Sequence, residues 1–438
     1  MKLPFIILLI ILSASLLSCR NDSKRITRQA DYERFMQLSA DDTMISQLNL
    51  NADIAFWKLR LDKNPRDVVA KISLGSLYSR RFKVSGDIND IHVSDRFLED
   101  ANTLFKFNTS SIYRSLASNS VTQHKFHKAK IYLDSALTMG DDRFITLLMQ
   151  FDVAIELGDL SMAEESLNQI GDKNSFDYLI RQAKLLDHRG DLEKAIEKME
   201  AAARKAEVSK KDIFYLWAKS NLGDMYGHAN RYNDAYQSYL EVLERDPDYL
   251  YALKGIAWLA FSHDKNMDEA KRILSYLSGL HHVPDYDLML SEIAAFENDQ
   301  EKERQLVDQY LSKVSDKRYG DMYNKYIFHL LIDQKNSVEK AIELAQREVA
   351  NRPTPQSYDL LSWGYFTRGD NEQALKIARA YVENRNHEPE ALFHLGIIYA
   401  HAGNFKKAKY FLEQAESSSF ELGPNLAKEV KTALKKIS

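Results

Sequence analysis

The chain has 438 residues but only 16 glycines and 8 prolines, where average usage of about 7% and 5% would give roughly 31 and 22. So few turn residues argue against many short strands and for long helices with brief connections. Hydrophobic residues make up 45% and charged residues 28%, enough apolar side chain for a packed core. The formal charge of −4 leaves no basic footprint for nucleic acid, which argues against a duplex-binding role.

The chain opens with Met-Lys-Leu-Pro, runs through Phe, Ile and Leu to Leu12, and continues Ser-Ala-Ser-Leu-Leu-Ser-Cys-Arg. The apolar stretch from Leu3 to Leu17 is shorter than the roughly 20 residues a spanning helix needs. Its charged start and short greasy middle are those of a secretory signal. Leu16-Leu17-Ser18-Cys19 resembles the lipobox of bacterial lipoproteins, in which a small residue precedes the cysteine that becomes lipidated. The resemblance implies cleavage after Ser18, a diacylglycerol on the Cys19 sulfur and an acylated new N-terminus. The alternative is an ordinary signal cleaved near Ser13-Ala14-Ser15, leaving a free thiol. Cys19 is the only cysteine, so no intramolecular disulfide can form and packing must hold the fold. Arg20 follows it, which by resemblance to enterobacterial sorting implies transfer to the outer membrane. Asp22 is the only nearby acid that could act as a surface-export signal, so the periplasmic and surface faces both stay open. Residues Arg20 to about Asp42 are mostly polar and predict a tether with at most one short helix.

From residue 50 onward the chain repeats. At a shift of 34 residues, Tyr365 falls on Tyr399, Gly369 on Gly403, Ala374 on Ala408 and Pro355 on Pro389. The stretch from Trp217 to Pro247 shows the same grammar: Leu222-Gly223, Tyr226, Ala235, Tyr239, Pro247. This resembles the tetratricopeptide repeat, a helix–turn–helix unit of about 34 residues. The small residue early in each second helix gives a ruler: Ala129, Ala163, Ala195, Ala235, Ala270, Ala341, Ala374 and Ala408. The widest interval hides one more repeat, Asp285–Val314, with Arg304 or Gln305 expected in the alanine's place. Leu74-Gly75 with Tyr78 opens a further degenerate hairpin, and Trp57 followed by Pro65 closes another.

The grammar has physical reasons. Small residues at the crossing let two helices approach within the usual 8–10 Å. Gly158, Gly190, Gly369 and Gly403 sit where a first helix ends and a positive φ is wanted. Asp159, Asp191, Asp370 and Asn404 follow them as N-caps of the second helices. Pro65, Pro247 and Pro353 end second helices because proline cannot continue them. The expected fold is all-α: a right-handed α-solenoid of about nine or ten tetratricopeptide-like hairpins over residues 46–422. Residues 1–18 read as signal peptide and 19–45 as lipidated tether. Gly423-Pro424 to Ser438 is read as an amphipathic capping helix, with Leu426, Val430 and Leu434 on one face.

Twelve histidines make no metal or catalytic pattern. His281 and His282 are adjacent, and His124 and His127 lack an acidic partner at ligand spacing. No phosphate loop and no nucleophile elbow occurs. No cofactor, no metal and no enzymatic activity is expected.

In the tetratricopeptide family the first helix of each hairpin lines the concave surface. The resemblance carries that register onto Trp217, with Asn221 where some members hydrogen-bond a peptide backbone, and onto Tyr251, Trp258, Phe261, Trp363, Phe366 and Phe393. The pairs Trp258–Phe261 and Trp363–Phe366 recur at one register. Such aromatics either anchor a partner, as at interface hot spots, or fill the inner curve of a tight superhelix; the sequence leaves both open. The set of basic and amide side chains that clamps C-terminal carboxylates in chaperone-binding members is incomplete. The expected function is a membrane-anchored scaffold of the bacterial envelope, binding a partner protein or peptide in the concave groove. The alternative is a glycan-binding surface lipoprotein of the SusD type, with Trp258 and Trp363 stacking on sugar rings.

Overall fold

A computed structural model describes residues 25–105, 109–334 and 337–437, with residues 38–47 as backbone only. The expected signal peptide, the Cys19 lipid site and the start of the expected tether lie outside the described residues. A long first helix, α1 (Gln29–Lys63), precedes ten antiparallel hairpins among the described residues. The first five are α2–α3 (Val68–Ser85, Ile88–Leu104), α4–α5 (Ser110–Thr122, Phe126–Met139), α6–α7 (Arg143–Glu156, Leu160–Asn168), α8–α9 (Phe176–His188, Leu192–Val208) and α10–α11 (Asp212–His228, Tyr232–Arg245). The next are α12–α13 (Leu250–Trp258, Met267–Leu280), α14–α15 (Asp285–Phe296, Gln300–Val314) and α16–α17 (Asn324–Ile332, Val338–Asn351). The last are α18–α19 (Pro355–Arg368, Asn371–Ile377) and α20–α21 (Pro389–His401, Phe405–Ser417), closed by α22 (Ser419–Ile437). Helices α12 and α19 run on into single π turns, Leu259–His263 and Ala378–Val382.

Local chemistry sets the reversals. Asp159, Asp191, Asp370 and Asn404 each accept the amide three residues on, from Met162, Lys194, Gln373 and Lys407. A cap of this kind contributes about 1 kcal/mol. The glycines before them have φ of 71°, 78°, 97° and 74°, a region that costs an L side chain strain. All eight ruler alanines are 0% exposed, so each crossing is packed to contact. In the hidden repeat the cap is Asp299, and the fourth residue after it, the alanine's place, is Glu303; its amide donates to Asp299 O at 2.9 Å. Arg304 and Gln305 point outward to solvent, which corrects the sequence alignment by one position.

The Leu222-Gly223 motif also has its reason. The Tyr239 ring fills the space between α10 and α12, and a Cβ on Gly223 or on Gly255 would lie 2.4 Å from it. No side chain fits at either position.

The hairpins wind tightly. Polar contacts join residues between 187 and 240 positions apart along the molecule. His282 N donates to Ser85 O at 2.9 Å, Asn351 Nδ2 donates to His124 O at 3.2 Å, and Asn230 Nδ2 donates to Ser417 O at 3.1 Å. One superhelical turn therefore takes about six repeats of 34 residues, and successive turns touch.

Two ends of the chain exploit this. The Asp264 carboxylate accepts the Ile26 amide at 3.0 Å, and the Thr27 amide and hydroxyl at 2.9 and 2.6 Å. Tyr32, Phe35 and Met36 then enter the largest core cluster, one turn further along the superhelix. Residues 26–36 are thus docked and helical from Gln29, which corrects the expected tether. The polar look of this stretch comes from one face of the helix only. At the other end, α22 breaks at Gly423 (φ 72°, ψ 168°). Its Val430 and Ala433 cap the last hairpin, with Leu426 and Leu434 beside them. Its first turn reaches back to the middle repeats.

Candidate functional site

The first helices of the hairpins present the expected register, but the side chains on it meet different fates. In α10, Trp217 is 40% exposed and Tyr251 in α12 is 44% exposed. Phe176 of α8 stacks on Phe214 at 4.9 Å and meets the Trp217 edge at 6.4 Å. Ile213 (74%) and Phe214 (37%) extend this ridge into solvent. The Tyr251 and Tyr239 hydroxyls donate to the two oxygens of Asp224, each at 2.6 Å, which fixes the angle of the Tyr251 ring. Asn221 lies beside them, but its amide donates to the Trp217 carbonyl of its own helix at 2.7 Å. That bond uses one of the two N–H groups of its side-chain amide.

The other register residues turn inward. Phe261 is 2% and Phe393 6% exposed; both are core, a correction to their assignment as groove anchors. Trp258 packs edge-on to Phe261 at 5.8 Å and to Phe420 at 6.5 Å. A Cβ at Gly423 would lie 3.0 Å from the Trp258 ring. Trp363 is sandwiched between Phe366 at 5.1 Å and His394 at 4.1 Å, nearly parallel to both. With both faces covered, neither a peptide nor a sugar can stack on it as the structure stands. Phe366 meets His401 edge-on at 5.6 Å.

The cause is α22. Phe420 fills the notch left by Gly227, where a Cβ would lie 2.5 Å from its ring, and packs on Tyr232 at 5.1 Å. Ser262 Oγ donates to the Phe420 carbonyl at 2.5 Å, and Asn425 Nδ2 donates to the Glu292 carbonyl at 2.8 Å. The groove expected to take a partner is here closed by the chain's own C-terminal helix. Sequence reasoning read that helix as an end cap because its reach across a full superhelical turn leaves no local signal.

Behind α22 a cavity of about 760 Å³ remains, walled by the inner faces of α12, α14, α16, α18 and α20. Within it Glu390 meets Lys325 at 3.1 Å and His329 at 3.2 Å. Burial works to raise the Glu390 carboxyl, but His329, Lys325 and His394 hold it down at about 2. His394, 3% exposed, shares its Nδ1 with the buried Asp359 carboxylate at 2.8 Å. Glu292 sits on the adjoining helix; burial, with the Glu390 charge beside it, pushes its carboxyl up to about 7. Sequence reasoning missed this set, because its members come from four separate helices. Among the described residues, no group of three or more histidine, cysteine or carboxylate side chains gathers as a metal site. No described helix is long and apolar enough to cross a membrane.

Helical hairpins stacked through alanine crossings, glycine-ended first helices and capped second helices define an α-solenoid. Models of the tetratricopeptide repeat match residues 218–249 and 360–421. Over these two stretches the chain carries tetratricopeptide repeats. Among solved structures, a tetratricopeptide repeat protein from Parabacteroides merdae is 16% identical, over 67% of this chain and 98% of that one, with a TM-score of 0.33. Yeast Tom70 is 13% identical, over 86% and 96%, with a TM-score of 0.37. YrrB, a tetratricopeptide protein whose structure is described as having an unusual peptide-binding site, is 18% identical over 45% and 95%, with a TM-score of 0.27. These superpositions are loose, and the hairpins themselves establish the fold. No curated protein matches the sequence.

Proposed function

We propose that the protein is a lipid-anchored interaction scaffold of the bacterial envelope, and that its partner protein docks on the Ile213–Phe214–Trp217–Tyr251 ridge. One observation carries this reading: of the aromatics on the expected register, Trp217 and Tyr251 stay exposed, with Ile213 and Phe214 exposed beside Trp217, while Trp258, Phe261, Trp363 and Phe393 are covered from within. Contiguous exposed apolar side chains with polar surroundings are characteristic of protein-contact surfaces. Lys211 and Lys254 lie over the Phe214 and Tyr251 rings at 5.4 and 4.9 Å, giving the ridge a basic rim. The anchor reading rests on Leu16-Leu17-Ser18-Cys19. It gains a mechanical corollary from the docking of Ile26. The seven residues from Cys19 to Ile26 span at most about 25 Å, so a lipid on Cys19 would hold the solenoid close to the bilayer instead of on a long leash. Transfer to the outer membrane follows from Arg20 at the position after the cysteine.

A photo-crosslinking residue in place of Tyr251, activated in native membranes, tests the ridge. A discrete adduct is expected that disappears in the Phe214→Ala/Trp217→Ala double variant. The same probe at Tyr381, equally exposed but off the ridge, should give none. Equal adducts at both positions would sink the proposal. For the anchor, Cys19→Ala should abolish lipid labelling and release the protein from the membrane fraction.

A further inference from the structure

The cavity behind α22 is unbalanced in charge. Among the described residues its wall carries Glu292, Glu303, Asp333, Glu390 and Glu429, with Glu388 and Glu421 at its mouth, against a single ammonium, Lys325. That ammonium is already committed to Glu390. Glu292 comes from α14 and shares the wall with Lys325, Tyr326 and His329 of α16, Glu390 of α20, Glu303 of α15, and Asn425 and Glu429 of α22. It has no ion-pair partner among the described residues. A carboxylate in such surroundings is costly unless a cation meets it.

Two further observations point the same way. Nine of the ten hairpins place an apolar residue at the fourth position of the second helix: the eight ruler alanines and Ile91, all 1% exposed or less. The α14–α15 hairpin, one of five that border the cavity, has Glu303 there, giving up close packing for a carboxylate on the wall. In addition, His394 is 3% exposed and lines the cavity. Its Nδ1 is held by Asp359, while its Nε2 has no hydrogen bond among the described residues. Tyr326, 42% exposed, supplies an aromatic face on the same wall. At about 760 Å³ the space is that of a ligand site for a small organic molecule.

We propose that this cavity binds an organic cation, a primary ammonium or guanidinium group, which pairs with Glu292 and Glu303 and lies against the Tyr326 ring. Carboxylates supply the charge, and the ring supplies a face that attracts cations. Lys325 and Glu390 form the neutral floor that keeps the cation from sinking further. The site is independent of the exposed ridge. The group could belong to a free polyamine or to a lysine or arginine side chain of a partner.

Isothermal titration of the full chain at pH 7 with spermidine, agmatine and Nα-acetyl-lysine methylamide separates these sources, with maltose as the neutral control. Saturable binding of at least one cation is expected, accompanied by proton release as Glu292 ionises. Tighter binding of spermidine or agmatine assigns a free amine, and tighter binding of the lysine derivative assigns a side chain. Glu292→Gln should weaken binding about tenfold and abolish the proton release, while melting and helical signal are kept. Glu303→Ala, which restores the residue of the other repeats, should weaken binding a few-fold without loss of stability. The proposal is overturned if no cation binds up to about 10 mM, if maltose binds as well as the cations, or if both variants bind as the parent does.

Discussion

In α10 and at the start of α12, Trp217 and Tyr251 keep 40% and 44% of their surface. Further along α12 Trp258 is covered by α22, and in α18 Trp363 is covered on both faces. All four stand on the inward register of first helices, and all four are aromatic. What separates them is the cover each receives: Trp258 from the C-terminal helix, Trp363 from Phe366 of its own helix and His394 of the next. Repeat grammar determines each hairpin and its neighbour; what fills the inner curve is decided by contacts more than 100 residues away, such as Ser262 with Phe420 and Glu292 with Asn425.

The comparison breaks most visibly at Phe420. If α22 holds two superhelical turns together, Phe420→Ala should cost about 3–5 kcal/mol, read by chemical denaturation, and should shift Trp258 emission to the red. A loss under about 1 kcal/mol would mean that α22 merely caps the last hairpin. The next largest contrast lies between the two tryptophans. Trp363→Ala removes the middle of a three-ring stack and should cost about 2–4 kcal/mol, less than full burial would. Trp217→Ala should cost under about 1 kcal/mol, as surface substitutions do. Equal losses would erase the distinction between ridge and core on which the proposed docking site depends.

Much of this was legible in the chain. The four glycine–cap pairs and the eight alanines place the reversals and crossings correctly, because each works through neighbours within one or two helices. Glu303 was one position off, since a repeat that has lost its alanine can be aligned only through its cap, Asp299, whose role shows once the helix start is known. The groove was the illegible part. Phe261 and Trp217 carry the same signal, an aromatic residue on a first helix, and only tertiary contact distinguishes them. The docked N-terminus was hidden likewise. Tyr32, Phe35 and Met36 are few apolar residues among many polar ones, and their partners lie one superhelical turn away on α11 and α13.

The smallest effect concerns that N-terminus, and it tests whether the stretch from Arg25 to Met36 is a docked element or a leash. Burial works against the Asp264 charge, but His263, the Thr27 hydroxyl and the Ile26 and Thr27 amides outweigh it and hold the carboxyl below its usual range. Because the docked pKa is depressed, Asp264 favours docking above the free-carboxyl value of about 3.9, and that contribution is lost as pH falls through the docked value. Amide exchange across residues 26–36, corrected for the intrinsic rate, should therefore be protected and flat from about pH 7 to 5, and should accelerate below about pH 4. Asp264→Asn keeps an acceptor oxygen but loses the charge. It should speed exchange there about fivefold at pH 7, as expected for losing about 1 kcal/mol from a charge-assisted hydrogen bond, and should flatten the acid response. The same variant should leave exchange in α18 and α20 unchanged, since no residue of either helix belongs to the core cluster that the segment enters. If residues 26–36 exchange at the free-chain rate at pH 7 in the parent protein, the segment is a leash after all, and the proposed lipid on Cys19 would hold the solenoid on more than the about 25 Å of chain that the docked segment leaves.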